Sequence, residues 1–402
     1  MPLLFLYSRE GNETMASAHG PSTKLPPAKR QYSGSQLPAF CFWFHYKGTP
    51  EIFQFPGACK MYPLTIRLID LYAKTILFHP GNQMYISPIL WYNKISKISG
   101  SKAPWACAAT KYSERKREMN PIILSADSTC DLDQELKERF GVQYFPFHIL
   151  LDGREYKDNV DITPPEIYQI YYQKKLLPKT SAINVEEYRS HFLPWVAKGY
   201  DVIHINLGSA LSSAHQNCCL AAQELGHVHV IDSGNLSTGT GLLVVEAGKM
   251  IRQGLPAQQI ADRLRSLTRT CHASFILDTL TFMHAGGRCS SVAALGANLL
   301  KLKPCIQVNN QDGSMSVGKK YRGNLDSVLV KYTKDQLAQY PDIDTELLFI
   351  THSGIDAHYI QLVRETACQL MDFKEVHVTT ASCTISCHCG PNTLGVLFRT
   401  RS

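Results

Sequence analysis

The sequence IILSADSTCDL, residues 122–132, marks the point where this chain takes on a regular pattern. The apolar run Ile122–Leu124 is typical of a buried strand, and it leads into the hydroxyl and acidic residues Asp127–Thr129. Residues of this kind are favoured where helices begin, and the unpaired backbone N–H groups of a helix start can bind an anion. The stretch therefore predicts a strand that ends at a polar junction, where Ser128 or Thr129 caps the next turn.

Hydroxyl residues stand at three further junctions between predicted strands and helices. These are Thr180-Ser181 before a helix at Val185, Leu211-Ser212 after a strand at Tyr200–Asn206, and Asp232-Ser233 at the end of Val228–Ile231. Strands that alternate with helices are the signature of an α/β fold with a largely parallel sheet. A hairpin is predicted around Asp152-Gly153, and Thr163–Glu166 has the pattern of a helix capping box.

A second set of elements follows a predicted helix at Pro256–Thr270. Strands are predicted at Ser274–Leu277, Cys305–Asn309, Ser314–Lys319, Leu347–His352 and Glu375–Thr379, and helices at Leu325–Gln339 and Ala357–Met371. We therefore expect two α/β domains, residues 119–272 and residues 273–402, with a ligand site between them.

Residues 1–118 lack a sustained helical or strand period. They contain 15 Lys and Arg against 6 Asp and Glu, whereas residues 119–402 contain 26 against 28. The whole positive excess therefore lies in the first segment, and the main body gives no reason to expect nucleic acid as a partner. We interpret residues 1–118 as a disordered or non-native extension and Met119 as the natural start.

Composition excludes two other classes of protein. The long apolar stretch Tyr62–Phe78 contains three charged residues, so no segment offers the roughly 18 apolar residues that a spanning helix needs. Thirteen cysteines, an odd number with Cys218 and Cys219 adjacent, argue against a disulfide framework. A cytoplasmic location without stable membrane insertion is expected.

Several short motifs are candidates for chemistry. Gly286-Gly287-Arg288 could bring the backbone and a guanidinium close to a carboxylate, although a surface turn with a solvated arginine fits equally well. Ser212 lies outside a Gly-x-Ser-x-Gly motif, and no particular histidine or aspartate is marked as its partner. The cysteines and histidine of Cys383–Cys389 match no common zinc spacing, so no metal and no cofactor are expected.

Taken in order, these segments resemble the DegV family, whose members include the fatty-acid-binding subunits of bacterial fatty acid kinase. The matching segments are Asp127–Leu132, Lys179–Ser181, Leu211-Ser212 with Gln216, Val230–Ser233, Gly286–Arg288, Leu302–Pro304 and His388–Pro391. Each is weak alone, but their order and spacing over residues 121–399 are specific.

The resemblance implies a protein that buries a long-chain fatty acid between two α/β domains. Its carboxylate would meet Thr180 and Ser212, with Arg288 and His388 nearby, while Ser128 and Ser233 would cap their loops. The family presents the acid to a separate ATP-dependent kinase, which forms the acyl phosphate for phospholipid synthesis. The chain itself would then perform no chemistry.

Departures from the family pattern occur beside these residues. Ala182–Asn184, Ser213–Asn217 and Asn392 replace the usual family residues at the predicted pocket rim. Two other hypotheses stay open from the sequence. One is an esterase or acyl transferase that uses Ser212, and the other is an anion-sensing module that recruits a partner through residues 1–118.

Overall fold

A computed structural model describes residues 120–293 and 302–401, together with the backbone of two strands nearer the N-terminus. These strands, β1 (Phe40–Tyr46) and β2 (Thr49–Phe55), pair antiparallel and lie in a unit of residues 1–114. Residues 115–402 form a second unit. The rest of the predicted extension, and the predicted start at Met119, lie outside the described residues.

Strands and helices alternate through the first part of the second unit. In chain order they are β3 (Ile122–Asp127), α1 (Gln134–Phe140), β4 (Gln143–Phe145), β5 (His148–Leu151), β6 (Arg154–Lys157), α2 (Pro164–Lys174), β7 (Lys179–Ser181), α3 (Val185–Val196), β8 (Asp201–Asn206), α4 (Ala214–Leu225), β9 (Val228–Asp232), α5 (Thr238–Arg252) and α6 (Ala257–Leu267).

These strands form two sheets. A four-stranded sheet in the order β4-β3-β8-β9 is parallel throughout, as predicted. A three-stranded antiparallel sheet in the order β6-β5-β7 contains the predicted hairpin, in which Asp152 and Gly153 both have positive φ. The predicted capping box is also present, because Glu166 accepts a hydrogen bond from the backbone N–H of Thr163 at 2.8 Å.

A second run of elements follows from residue 271. It consists of β10 (Cys271–Ile276), α7 (Thr281–Gly286), α8 (Ser290–Ala293), β11 (Leu302–Val308), β12 (Met315–Arg322), α9 (Leu325–Ala338), β13 (Ile343–Ser353), α10 (Ala357–Leu370), β14 (Glu375–Thr380), α11 (Cys383–Cys389) and β15 (Thr393–Thr400). Its six strands form one sheet in the order β12-β11-β10-β15-β13-β14.

The expectation of a largely parallel sheet is wrong for this six-stranded sheet. Only β13 and β14 pair parallel in it, and the other four pairings are antiparallel. Two of these pairings join β10, β11 and β12 in succession, and the other two are made by β15, which the sequence pattern did not reveal and which lies between β10 and β13. The fold is nonetheless α/β in both parts.

Helix α5 packs between the parallel sheet and the six-stranded sheet. Its residues Leu242–Val245 are buried in a cluster that also contains Leu124 of β3 and Phe349 of β13. Burial of both faces explains why this helix is apolar around most of its circumference. The predicted domain boundary between residues 272 and 273 falls inside strand β10, which begins at Cys271. The division into two domains at this point stays a prediction.

Of the two hydroxyls that were predicted to cap their loops, Ser233 does so and Ser128 does not. Ser128 is the first residue of a 3₁₀ turn whose N-cap position is Asp127, and its hydroxyl donates to the Asp158 carboxylate at 2.9 Å, so its predicted capping role is wrong. Ser233 holds its own loop by accepting a hydrogen bond from the Asn235 N–H at 3.1 Å, whereas Ser237 occupies the N-cap position of α5. None of the described helices combines the length and apolarity that crossing a membrane requires.

Candidate functional site

A cavity of about 230 Å³ opens where loops of the first part meet the ends of strands and helices of the second. Much of its wall is apolar, formed by Phe147, Leu207, Leu211, Leu236, Phe275, Met283, Met315 and Leu397. These side chains come from widely separated parts of the sequence. The cavity is therefore a product of tertiary packing and has the mostly apolar lining that is usual for a ligand site.

Four polar residues that the sequence singled out, Thr180, Ser212, Arg288 and His388, all line this cavity. We call them the polar cluster. They are contributed by strand β7, the loop before α4, the turn after α7 and the last turn of α11. The structure thus brings the predicted set to one place.

Thr180 and His388 are in direct contact across 208 positions of sequence. The Thr180 Oγ1 and His388 Nε2 atoms are 2.9 Å apart, and both side chains are partly buried. Thr180 lies within strand β7, where it pairs with Ile149, and not at a helix start as the sequence suggested. The strand register therefore sets its position.

The His388 ring packs against the backbone of Gly286. A Cβ atom at Gly286 would lie 2.2 Å from His388 Nδ1, so only glycine allows this approach. The Nδ1 atom is buried and has no hydrogen-bond partner among the described residues. Burial, and to a smaller degree the charge of Arg288, lower the pKa of His388 to about 4, so the imidazole is neutral near pH 7.

Arg288 connects the glycine turn with the loop that contains Ser212. Its Nη1 donates to the Gly286 carbonyl oxygen at 2.7 Å, and its Nε donates to the Leu211 carbonyl oxygen at 3.3 Å. Its side chain is exposed, and no Asp, Glu or Lys lines the cavity among the described residues. Of the described lining residues, Arg288 therefore contributes the one full positive charge, at a position that solvent can reach.

Ser212 lies at the entrance to helix α4. Its Oγ accepts a hydrogen bond from the N–H of Ala214, the first residue of the helix, at 3.2 Å. The Ser212 side chain also lines the cavity. Among its described neighbours, no histidine lies within hydrogen-bond distance of this hydroxyl. Ser212 therefore lacks the base that a serine nucleophile needs.

A Ser-His-Asp array does exist elsewhere in the fold. His204 lies between Ser125 and Asp127, with Nδ1 2.8 Å from Ser125 Oγ and Nε2 3.1 Å from Asp127 Oδ1. We call these three residues the buried triad, because none has any solvent-exposed surface. No substrate can reach Ser125 in this arrangement, so the array is part of the core.

Sequence reasoning missed two features of the cavity wall. The segment Cys383–Cys389, in which only His388 was expected at the site, forms helix α11 and also brings Thr384, Ile385 and Cys389 to the cavity. His352 of β13 also lines the cavity, and its buried Nδ1 lacks a partner among the described residues. Its burial lowers its pKa. No local motif predicts either feature. The spacing of four residues between Thr384 and His388 indicates only that they share one face of a helix.

Comparison with known proteins connects the whole second unit with one family. The family model described as "uncharacterised protein, DegV family" matches residues 122–401. A DegV domain-containing protein of Clostridium acetobutylicum is 28% identical over 285 residues, which make up 70% of this chain and 99% of that protein.

Solved structures show the same fold. A DegV family protein from Thermus thermophilus, described as fatty acid binding, has a TM-score of 0.64 and 28% identity, covering 70% of this chain and 99% of its own. A stearic acid-binding protein from Eubacterium ventriosum has a TM-score of 0.59 and 25% identity, over 70% of this chain and 98% of its own. Each likeness covers nearly the whole length of the solved structure and about 70% of this chain.

Proposed function

The chain belongs to the DegV family, as its motifs predicted, and we propose that it binds a long-chain fatty acid in the cavity. The carboxylate lies at the polar cluster and the hydrocarbon tail against the apolar wall. The observation that supports this most directly is the composition of the cavity, in which the described residues join a large apolar surface to one cationic side chain, Arg288. A fatty acid has the same division into an apolar tail and one anionic group.

The tail supplies most of the binding free energy. At about 0.8 kcal/mol for each buried CH₂, a tail of about sixteen carbons offers on the order of 10 kcal/mol before losses. Ordering the tail and losing its free motion reduce this value substantially. The apolar wall therefore accounts for affinity, and the polar cluster for the direction in which the acid enters.

The carboxylate needs donors, because burying an unpaired charge costs several kcal/mol. Arg288 provides charged donors, and the hydroxyls of Thr180 and Ser212 each provide one more. His388 is neutral, so one of its ring nitrogens carries a proton and can donate as well. These four side chains together can satisfy both oxygens of a carboxylate.

We further propose that the bound acid is presented to a separate ATP-dependent kinase in the cytoplasm, which forms the acyl phosphate. Support comes from the exposure of Arg288, which keeps the carboxylate end of the cavity open to a second protein. The absence of a base beside Ser212 also favours binding over chemistry by this chain. The ten cysteines of the described residues are all free, as is usual in a reducing compartment.

Ligand extraction tests the proposal. Purified protein is treated with organic solvent, the released material is identified by mass spectrometry, and the emptied protein is titrated with palmitate and oleate. We expect a fatty acid in the extract and saturable binding of at least one of the two. No fatty acid in the extract, together with no uptake of either ligand, would overturn the proposal.

The kinase step has its own test. The loaded protein is mixed with ATP and a fatty acid kinase of a bacterium that has DegV proteins, and acyl phosphate is trapped with hydroxylamine. We expect the hydroxamate only when loaded protein, kinase and ATP are all present. Formation of hydroxamate without the kinase would instead assign the chemistry to this chain.

A further inference from the structure

Two buried carboxylates, Asp131 and Asp158, meet the N-terminus of helix α11. Asp131 follows strand β3 and is 4% exposed, and Asp158 follows strand β6 and is 1% exposed. The last turn of helix α11 contains His388, which contacts Thr180. Both acids thus lie at one end of a seven-residue helix whose other end belongs to the polar cluster.

Asp158 accepts backbone hydrogen bonds on both of its oxygens. Its Oδ1 accepts from the Cys383 N–H at 2.7 Å, and its Oδ2 accepts from the Thr384 N–H at 3.2 Å. The hydroxyl of Ser128 also donates to Oδ2, at 2.9 Å. A backbone N–H can only donate, so a carboxyl group with one on each oxygen is satisfied best in its ionised form.

Asp131 has a different set of partners. Its Oδ1 accepts from the Ser382 N–H at 2.9 Å, while its Oδ2 lies 2.6 Å from the hydroxyl of Ser237. A hydroxyl can accept a hydrogen bond as readily as it donates one. Asp131 can therefore take up a proton on Oδ2 and keep both contacts, which Asp158 cannot do.

No Lys or Arg in the described part of the chain contributes to the pKa shift of either carboxyl group. The titratable neighbours that act on Asp131 or Asp158 are Cys130, Tyr144, Cys383, Cys387 and Cys389. Burial raises the pKa of each of these thiols and of the phenol, so all stay neutral near pH 7. The ionised member of the pair is stabilised by N–H groups at the helix start and by hydroxyls.

We propose that Asp158 is a positioning residue for the polar cluster, because it holds the N-terminus of α11 so that His388 meets Thr180 at the other end. Asp158 touches neither the cavity nor the proposed ligand and acts only through the helix. The ligand-binding consequence rests on the proposed function, whereas the effect on His388 does not.

The pair offers matched variants of equal size. In Asp158→Asn one carboxylate oxygen becomes an NH₂ group, which cannot accept from a backbone N–H, so at least one hydrogen bond to α11 is lost. In Asp131→Asn the new NH₂ group can donate to Ser237 while the remaining oxygen still accepts from Ser382. The two variants make the same change of side chain, and only the first loses a hydrogen bond to α11.

The experiment follows the imidazole of His388 by NMR across a pH titration of ligand-free protein, and then measures palmitate affinity. Wild type is expected to titrate with a pKa of about 4. We expect Asp158→Asn to raise this pKa towards the ordinary 6.5 and to weaken palmitate binding roughly tenfold or more. Asp131→Asn should leave both values near those of wild type.

Equal behaviour of the two variants would overturn the positioning role. If wild type binds no palmitate, the proposed function fails, and the His388 titration still decides the positioning role by itself. If Asp158→Asn does not fold, Ser128→Ala replaces it, because it removes one hydrogen bond from Asp158 Oδ2. That variant should shift His388 in the same direction by a smaller amount, and an unchanged titration would again overturn the proposal.

Discussion

The buried triad and the polar cluster use similar side chains and differ in whether their hydrogen bonds are complete. In the triad, Asp127 accepts from Tyr188, His204, Asn206 and the Leu207 N–H, and every member is fully enclosed. In the polar cluster, Arg288 is exposed and the buried Nδ1 of His388 has no partner among the described residues.

This difference separates a structural network from a site that can accept a ligand. A buried network with every donor and acceptor paired holds the fold and has nothing left to offer a substrate. A cluster with unused donors beside an apolar cavity has capacity for an added anion. Residue type alone would favour the triad as the functional centre. Solvent accessibility instead favours the polar cluster, because the triad is fully buried.

The largest expected effect comes from breaking the triad. Asp127→Ala would leave four donors without their acceptor inside the core, so we expect a loss of about 3–5 kcal/mol in the free energy of unfolding. Urea denaturation measures this value. A loss below about 1 kcal/mol would mean that the network is dispensable. Asp127→Asn, which keeps one acceptor oxygen, should lose less.

The next effect tests the opposite role of the polar cluster. Arg288→Ala should leave the unfolding free energy nearly unchanged, since the side chain is exposed, and should weaken palmitate binding roughly ten- to a hundredfold. Isothermal titration calorimetry gives the affinity. Arg263→Ala on α6, also exposed but away from the cavity, is the matched control and should bind like wild type. Unchanged affinity in Arg288→Ala would remove this residue from the site.

A smaller effect is expected from Gly286→Ala. The added methyl group would overlap His388 Nδ1 and displace the ring from Thr180, at a cost of about one hydrogen bond and roughly fivefold in palmitate affinity. Ala285→Ser, at the exposed neighbouring position, should have no effect. Equal affinities for the two variants would show that the packing of His388 on Gly286 is unimportant.

The smallest effect concerns pH. Burial raises the pKa of Asp131 from 3.8 to about 7, so the folded state binds this proton more tightly than the unfolded state. Its stabilising contribution is complete below the ordinary pKa and is lost as the pH rises through about 7. The Tm of wild type should therefore fall from pH 5 to pH 9 more steeply than that of Asp131→Asn. Parallel curves would contradict the raised pKa.

Local patterns predicted much of the fold. The strands β3, β8 and β9, the Asp152-Gly153 hairpin and the capping box at Thr163 all stand where period and turn chemistry put them. Strand β15 was not predicted, because Thr393–Thr400 is buried along nearly its whole length and shows no alternation of polar and apolar residues. A central strand is recognised from its neighbours, which lie far away in sequence.

The four predicted site residues line one cavity, but the local structure expected at Thr180 was wrong. Thr180 was expected at a helix start and lies in a strand, where its register with Ile149 directs it to His388. Asp158 was not considered at all, since nothing in its local sequence connects it with Cys383, 225 residues later. Contacts of this range depend on how sheets and helices pack.

The sequence alone was sufficient for the α/β class, the order of most elements and the family, because these depend on periodicity and on motifs within short windows. Tertiary structure was needed to show which hydroxyl, histidine and acid has free hydrogen-bonding capacity. That property depends on burial and on partners up to hundreds of positions away, as for Thr180 and His388. Identical side chains thus become core in the buried triad and a candidate ligand site in the polar cluster.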